Sequence, residues 1–282
     1  MAGARIRTTT LPSGATMPTF GLGTWRMGES AAKREDEVKA LAHGLSLGVT
    51  LIDTAEMYGD GEAETVVADA VGTHRDEIFI VSKVLPSNSS KRGTIAACER
   101  SLKRLKTDRI DLYLLHWRGS PSLRETIEAF ETLKNAGKIL DWGVSNFDIG
   151  EMEELAETSG GESCATNQVL YNLTRRGVEY DLMPWCRGRK MPIMAYSPIE
   201  QGRMLGHAAL RDVAGRHKAT PAQVALAWLL RQDGVIVIPK ATTLAHAEED
   251  IAALDLRLTA DDLATLDRAF LPPKKATSLD ML

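Results

Sequence analysis

The chain has 282 residues, 44% of them hydrophobic and 26% charged, with a formal net charge of -4. Such a composition belongs to a globular protein able to bury a sizeable core, and its acidic balance argues against nucleic acid or an anionic membrane surface as the main partner. No apolar run approaches membrane-spanning length, and Cys98, Cys164 and Cys186 are too scattered for a disulfide framework or a metal knuckle.

The opening Met1-Ala-Gly-Ala-Arg-Ile-Arg lacks the apolar centre of a secretory signal, so the reducing cytoplasm is the expected compartment. Thr8 to Met17 reads as a β-hairpin about Pro12-Ser13-Gly14. Eight apolar runs of strand length follow: Thr19–Thr24, Val49–Asp53, Ile78–Val84, Ile110–His116, Ile139–Asn146, Cys164–Val169, Pro192–Pro198 and Val235–Lys240. The first seven start 25 to 32 residues apart, and the last gap is 43. Helical periodicity fills the intervals, with Val38, Leu41, Ala42 and Leu45 on one face and Ile95, Cys98, Leu102 and Leu105 on another. Thr220-Pro221 is a helix start, a capping hydroxyl followed by proline in the first turn. Thr259–Phe270 is one more amphipathic helix, and the tail from Leu271 has no periodicity.

Continuously apolar strands alternating with helices predict a parallel sheet covered on both sides. Eight such units in roughly 250 residues are the arithmetic of a (β/α)8 TIM barrel, here with an N-terminal hairpin and an extra C-terminal helix and tail. A doubly wound sheet has fewer strands, and no GxGxxG turn follows the first one. No linker divides the chain, so residues 1–282 are expected to form a single domain.

Barrels carry their chemistry at the C-terminal ends of the strands. Asp53, Lys83 and His116 close the second, third and fourth runs, and Tyr58 lies just past the second. Singly, each has an ordinary explanation: a turn-capping Asp, a snorkelling Lys, a packed Tyr, a satisfied core His. Jointly, they place a carboxylate, an ammonium, a phenol and an imidazole on one rim. A phenol titrates near 10, and a nearby ammonium is expected to lower that value; the carboxylate orients the ammonium, and the imidazole hydrogen-bonds a substrate carbonyl. This is a general-acid site for carbonyl reduction that needs a hydride source. At the eighth strand, Lys240 precedes a helix start near Thr242 or Thr243, a charge beside free backbone N–H groups, as in a phosphate site.

In Gly21-Leu-Gly-Thr24-Trp25, Leu51-Ile-Asp-Thr-Ala-Glu-Met-Tyr-Gly59, Ser82-Lys83, Leu114-Leu-His-Trp117, Gly143-Val-Ser-Asn-Phe147, Asn167-Gln168, Ala195-Tyr-Ser-Pro198 and Ile238-Pro-Lys240, the sequence resembles the aldo-keto reductase family nearly end to end. The resemblance implies NADPH bound across the barrel mouth without metal, Tyr58 as general acid, Lys83 and Asp53 as its tuning pair, and His116 orienting the carbonyl. It implies Thr24, Trp25 and Asp53 beside the cofactor and Ser145, Asn146 and Gln168 on the nicotinamide carboxamide. Tyr196 would stack under the ring, and Ser197, Ile199 and Gln201 would lie along the pyrophosphate. Lys240 would pair with the 2′-phosphate, with Glu249 and Asp250 near the adenine, and a hydroxyl of Thr242 or Thr243 is expected to add one contact to the phosphate.

Two positions depart from the family pattern: Ala241 stands where Ser is common, and His246 where the family has Arg. Arginine gives a permanent bidentate clamp on phosphate and histidine does not, so NADPH is expected to be preferred with NADH used better than in typical members. Trp25, Met57 and Trp117 are the expected pocket walls. The resemblance is closest to bacterial reductases of small aldehydes such as methylglyoxal. A small carbonyl compound is the expected partner, with no nucleic acid or membrane, in a monomer or weak dimer. Two alternatives stand beside this reading: a Schiff-base aldolase using Lys83, and a slow cofactor-sensing regulatory subunit.

Overall fold

A computed structural model describes residues 6–282; the segment Met1 to Arg5, part of the stretch inspected for a signal, lies outside the described residues. The strands are β1 (Thr8–Thr10), β2 (Thr16–Pro18), β3 (Leu22–Gly23), β4 (Leu51–Asp53), β5 (Phe79–Val84), β6 (Ile110–Leu115), β7 (Ile139–Ser145), β8 (Asn167–Leu170), β9 (Ile193–Tyr196) and β10 (Val235–Val237). The helices are α1 (Arg34–Ser46), α2 (Glu62–Val71), α3 (Lys91–Leu105), α4 (Leu123–Asn135), α5 (Ile149–Glu157), α6 (Leu182–Gly188), α7 (Ala208–His217), α8 (Pro221–Leu230), α9 (Leu244–Ala252) and α10 (Ala260–Ala269).

Strands β3 to β10 pair in parallel in chain order. Across the seam, Phe20 bridges Val237, the Gly21 N–H donates to Val237 O at 3.0 Å and the Val237 N–H donates to Thr19 O at 2.9 Å. The sheet therefore closes on itself as the eightfold periodicity predicts, leaving no free edge. The 43-residue interval holds two helices, α7 and α8, which accounts for its length.

The unbroken apolar runs resolve into two faces because side chains alternate along a strand. Leu51, Val81, Leu112, Leu114, Ala165, Met194 and Ile236 fill the barrel interior, where Leu11 and Met17 of the β1–β2 hairpin join them. The intervening residues, among them Ile52, Ile80, Tyr113, Leu115 and Trp142, pack outward against the helices. Phe130 of α4 stacks on Trp142 at 5.3 Å and meets Tyr113 edge-on, which fixes that helix over β6 and β7. Gly143 lets β7 and β8 approach: a Cβ there would sit 2.6 Å from Thr166 O. Capping chemistry sets the helix starts as read from the sequence. Thr220 and Thr259 form capping boxes with Gln223 and Asp262, and Thr243 accepts the His246 N–H at the start of α9.

Candidate active site

The C-terminal ends of the strands deliver the polar residues to one mouth. Asp53 is the last residue of β4, Lys83 the penultimate residue of β5, Ser145 the last of β7 and Tyr196 the last of β9; His116 follows β6 directly. Tyr58 opens a short 3-10 turn, Tyr58–Gly61, and there Gly59 is required, since its φ is 55° and a Cβ would lie 2.8 Å from Met27 O.

Lys83 is fully buried, and its ammonium donates to Asp53 Oδ2 at 2.7 Å, Thr54 O at 2.9 Å and the Tyr58 phenol oxygen at 3.3 Å. Burial lowers its proton affinity, while Asp53 and then Glu64 hold it up. The phenol is not shifted in the direction expected from the sequence. Burial, then the Asp53 charge, pushes Tyr58 well above its ordinary value. The physical reason is that the ammonium is already neutralised by Asp53 at 2.7 Å, so the phenol meets an ion pair rather than a bare cation. Tyr58 is thus held as a neutral donor whose oxygen is engaged by Lys83 and whose proton has no acceptor among the described residues.

His116 meets Tyr58 edge-on at 5.7 Å and Trp117 at 5.0 Å. Burial and then the Lys83 charge lower its pKa to about 2, so the imidazole is neutral. Its Nδ1 is sealed without a partner, so a proton there would lack an acceptor; the single N–H is accordingly assigned to Nε2.

The residues expected at the carboxamide join the same network. Tyr196 donates to Asn146 Oδ1 at 2.9 Å; Asn146 Nδ2 donates to His116 O and to Ser145 Oγ, each at 3.1 Å. Ser145 Oγ donates to Gln168 O at 2.9 Å, and Gln168 Nε2 donates to Asp53 Oδ1 at 2.7 Å. Asn146 is held at a φ of 57°. Thr24 lies beneath, with its hydroxyl and its N–H on Asp53 O at 3.0 Å. Trp25 is half-buried under the Arg26 guanidinium at 4.4 Å, and Met57 is 39% exposed near the rim.

Farther along, Ser197 and Gln201 take positive φ in the loop after β9, and Ile199 packs on the core. Lys240 is half-buried three residues past β10, beside the seam where the Gly23 N–H bonds Pro239 O. It has neither ion pair nor hydrogen bond among the described residues. Burial lowers its pKa, with Glu37 and Glu29 opposing and Arg26 and Lys33 adding to the effect. Thr242 and His246 are exposed at the start of α9 and do not touch the proton-transfer network. Glu249 accepts from Gln223 through its main chain, and Asp250 is buried with its carboxyl pushed up to about 8 by burial and then by Glu249.

Several supporting residues escaped the sequence reading. Glu56 is buried and accepts from the Leu85 N–H at 2.8 Å and from Asn88 at 2.9 Å, tying the Tyr58 loop to the loop after β5. Glu200 accepts from Asn172 at 2.8 Å and from Arg175, bracing the loop after β9. Arg175 also reaches Asp280 of the tail, so the segment beyond Leu271 folds back toward the end of β9. Glu56 stood inside a quoted motif; the Asn172, Arg175 and Glu200 partners lie 25 or more residues apart and carry no local signal.

Comparison with known proteins agrees with this fold. The sequence model of the Aldo/keto reductase family matches residues 19–270. Methylglyoxal reductase YeaE of Escherichia coli is 52% identical over 272 residues, covering 95% of this chain and 96% of that protein. Glyoxal reductase of Bacillus subtilis is 35% identical over 260 residues, covering 92% and 91%. A crystal structure of an aldo-keto reductase from Klebsiella pneumoniae in complex with NADPH superimposes with a TM-score of 0.96 at 49% identity, covering 99% of this chain and 100% of that one. The chain belongs to the aldo/keto reductase family, and its fold is that of the family's barrel.

Proposed function

We propose that this protein reduces small aldehydes, α-oxoaldehydes such as methylglyoxal among them, with NADPH, and that Tyr58 is the proton donor. The observation that carries the reading is the chain Asp53–Lys83–Tyr58, with bonds of 2.7 and 3.3 Å, closed on its other side by a neutral His116.

The residues fit the cofactor. Lys240, a half-buried cation without an ionic partner among the described residues, suits a 2′-phosphate, and the start of α9 beside it offers free N–H groups. Asn146 Oδ1 keeps a second lone pair for a carboxamide N–H beside its bond to Tyr196. NADPH, when bound, supplies the hydride. Tyr58 passes its proton to the carbonyl oxygen, and the Lys83 ammonium at 3.3 Å stabilises the phenolate left behind. His116 donates from Nε2 to the same oxygen and fixes its position. Asp53 keeps Lys83 charged and in place. Trp25, Met57 and Trp117 supply apolar walls, and Tyr196 supports the nicotinamide ring. The substrate class draws on the relatives named methylglyoxal and glyoxal reductase.

The aldolase alternative conflicts with Lys83 as it stands, because all three ammonium hydrogens are engaged and no lone pair is offered to a carbonyl. The regulatory alternative has no supporting feature. Steady-state NADPH oxidation over an aldehyde panel, with wild type and Tyr58→Phe, tests the reading. The variant is expected to lose roughly 100- to 10,000-fold in kcat while still binding NADPH. Undiminished turnover in Tyr58→Phe removes the tyrosine from this role.

A further inference from the structure

Two buried glutamates bracket Tyr58 in the chain, Glu56 before it and Glu64 after it, and both reach α3. Arg100 and Arg104, one turn apart on that helix, pair with them at 3.3 and 2.6 Å. Glu64 is the deeper of the two. It lies in the first turn of α2, fully buried, where Oε1 accepts from Ser82 Oγ at 2.6 Å and Oε2 from Arg104 Nε at 2.6 Å. The Arg104 guanidinium lies against Gly61, the last residue of the Tyr58 turn.

Ser82 directly precedes Lys83 on β5, and alternation along the strand turns Lys83 toward the mouth and Ser82 toward α2. Glu64 therefore grips the strand from behind, at the residue next to Lys83, while Asp53 holds the ammonium in front at 2.7 Å. The titratable groups facing Lys83 are Asp53 of β4, the Tyr58 phenol, Glu64 of α2 and the neutral His116 past β6. Burial lowers the proton affinity of Lys83, and Asp53 and then Glu64 restore part of it. Facing Glu64 are Arg104 and Cys98 of α3 and Tyr113 of β6. Burial first, and neighbouring charges after it, push Cys98 up to about 12 and Tyr113 well above its ordinary value, so both are neutral. A buried ion pair contributes little net stability once both charges lose their water, so stability alone does not account for Glu64.

We propose that Glu64, paired with Arg104, is a positioning residue for proton transfer: it ties the helix that follows the Tyr58 turn to β5 through Ser82, and its negative charge behind the strand, with that of Asp53 in front, holds the Lys83 ammonium beneath the phenol. Tyr58 and Lys83 come from separate elements, and Glu64 sets one against the other. The inference rests on Tyr58 being the proton donor.

Glu64→Gln, which keeps the shape and removes the charge, tests it. Single-turnover oxidation of NADPH with one fixed aldehyde is followed across pH, and NADPH affinity is read separately from quenching of tryptophan fluorescence without aldehyde. Removing a nearby negative charge favours both the uncharged Lys83 amine and the Tyr58 phenolate, so both groups lose their protons at lower pH. The variant is expected to be slower on the order of tenfold at neutral pH, with the alkaline limb of the rate moved to lower pH. NADPH affinity is expected to stay within about twofold of wild type. Glu64→Gln combined with Arg104→Gln leaves no lone buried charge and serves where the single variant does not fold. The same shift is expected, because Arg104 is 23% exposed and its charge is screened by water, whereas Glu64 is sealed. Two results overturn the proposal: an alkaline limb that stays at the wild-type pH or rises, with or without a slower rate, or a loss confined to NADPH affinity. Either result with an inactive Tyr58→Phe removes only the role of Glu64, whereas an active Tyr58→Phe removes the proton-donor reading itself.

Discussion

Asp250 offers a quantitative test of how the last turn of α9 is built. The residue is 5% exposed, and its carboxyl has no side-chain hydrogen bond among the described residues and is pushed from the ordinary 3.8 up to about 8 by burial and then by Glu249. A carboxyl whose folded pKa is raised stabilises the fold fully below 3.8, and that contribution drains away as pH rises toward 8. From 3.8 to pH 7 is about three units at about 1.4 kcal/mol each, so keeping Asp250 protonated costs the fold about 4 kcal/mol at neutral pH relative to acid. Asp250→Asn removes the titration while preserving shape. Urea unfolding of both proteins from pH 5 to 9 is the assay, because every other titrating group cancels in the difference. The variant is expected to be the more stable at pH 7, with the gap narrowing by about 1.4 kcal/mol per unit down to pH 5 and levelling above pH 8. A gap independent of pH, or a variant less stable throughout, refutes the burial argument.

His116 stays neutral down to a pKa of about 2, so kcat/KM is expected to show no acid limb near the usual histidine value; a limb there that vanishes in His116→Gln shows a charged imidazole instead. Because His246 replaces a permanent clamp, wild type is expected to turn over NADH detectably, and His246→Arg to raise the NADPH-to-NADH ratio of kcat/KM roughly tenfold; undetectable NADH activity in wild type contradicts this. Glu56→Ala strands the Leu85 N–H and Asn88, so it is expected to lower unfolding free energy by about 1–3 kcal/mol and to reduce kcat more than NADPH affinity, measured by urea unfolding and steady-state kinetics.

Periodicity and capping are local, and they made the eight strands, the hairpin and the starts of α8, α9 and α10 legible in the chain. Strand ends were less so: the eighth run was read to Lys240, yet β10 ends at Val237, because pairing depends on the neighbouring strand rather than on apolar character. The placement of Asp53, Lys83 and His116 on one rim followed from their positions at the ends of apolar runs. Tyr58's proton affinity did not, since its direction depends on burial and on the pairing that already neutralises Lys83.

By itself the sequence determined the barrel, the rim on which Asp53, Lys83 and His116 gather and the family, because strand length, side-chain alternation and motif order are all written along the chain. Tertiary structure alone decided the long-range arrangement: the Gln168–Asp53 bond across the barrel, spanning 115 residues, the Glu200 brace between the loops after β8 and β9, and the charge of Lys240, which has no ionic partner among the described residues. These features are set by pairing and closure of the sheet, which bring neighbouring loops and, for Gln168 and Asp53, opposite strands within reach irrespective of their separation in sequence.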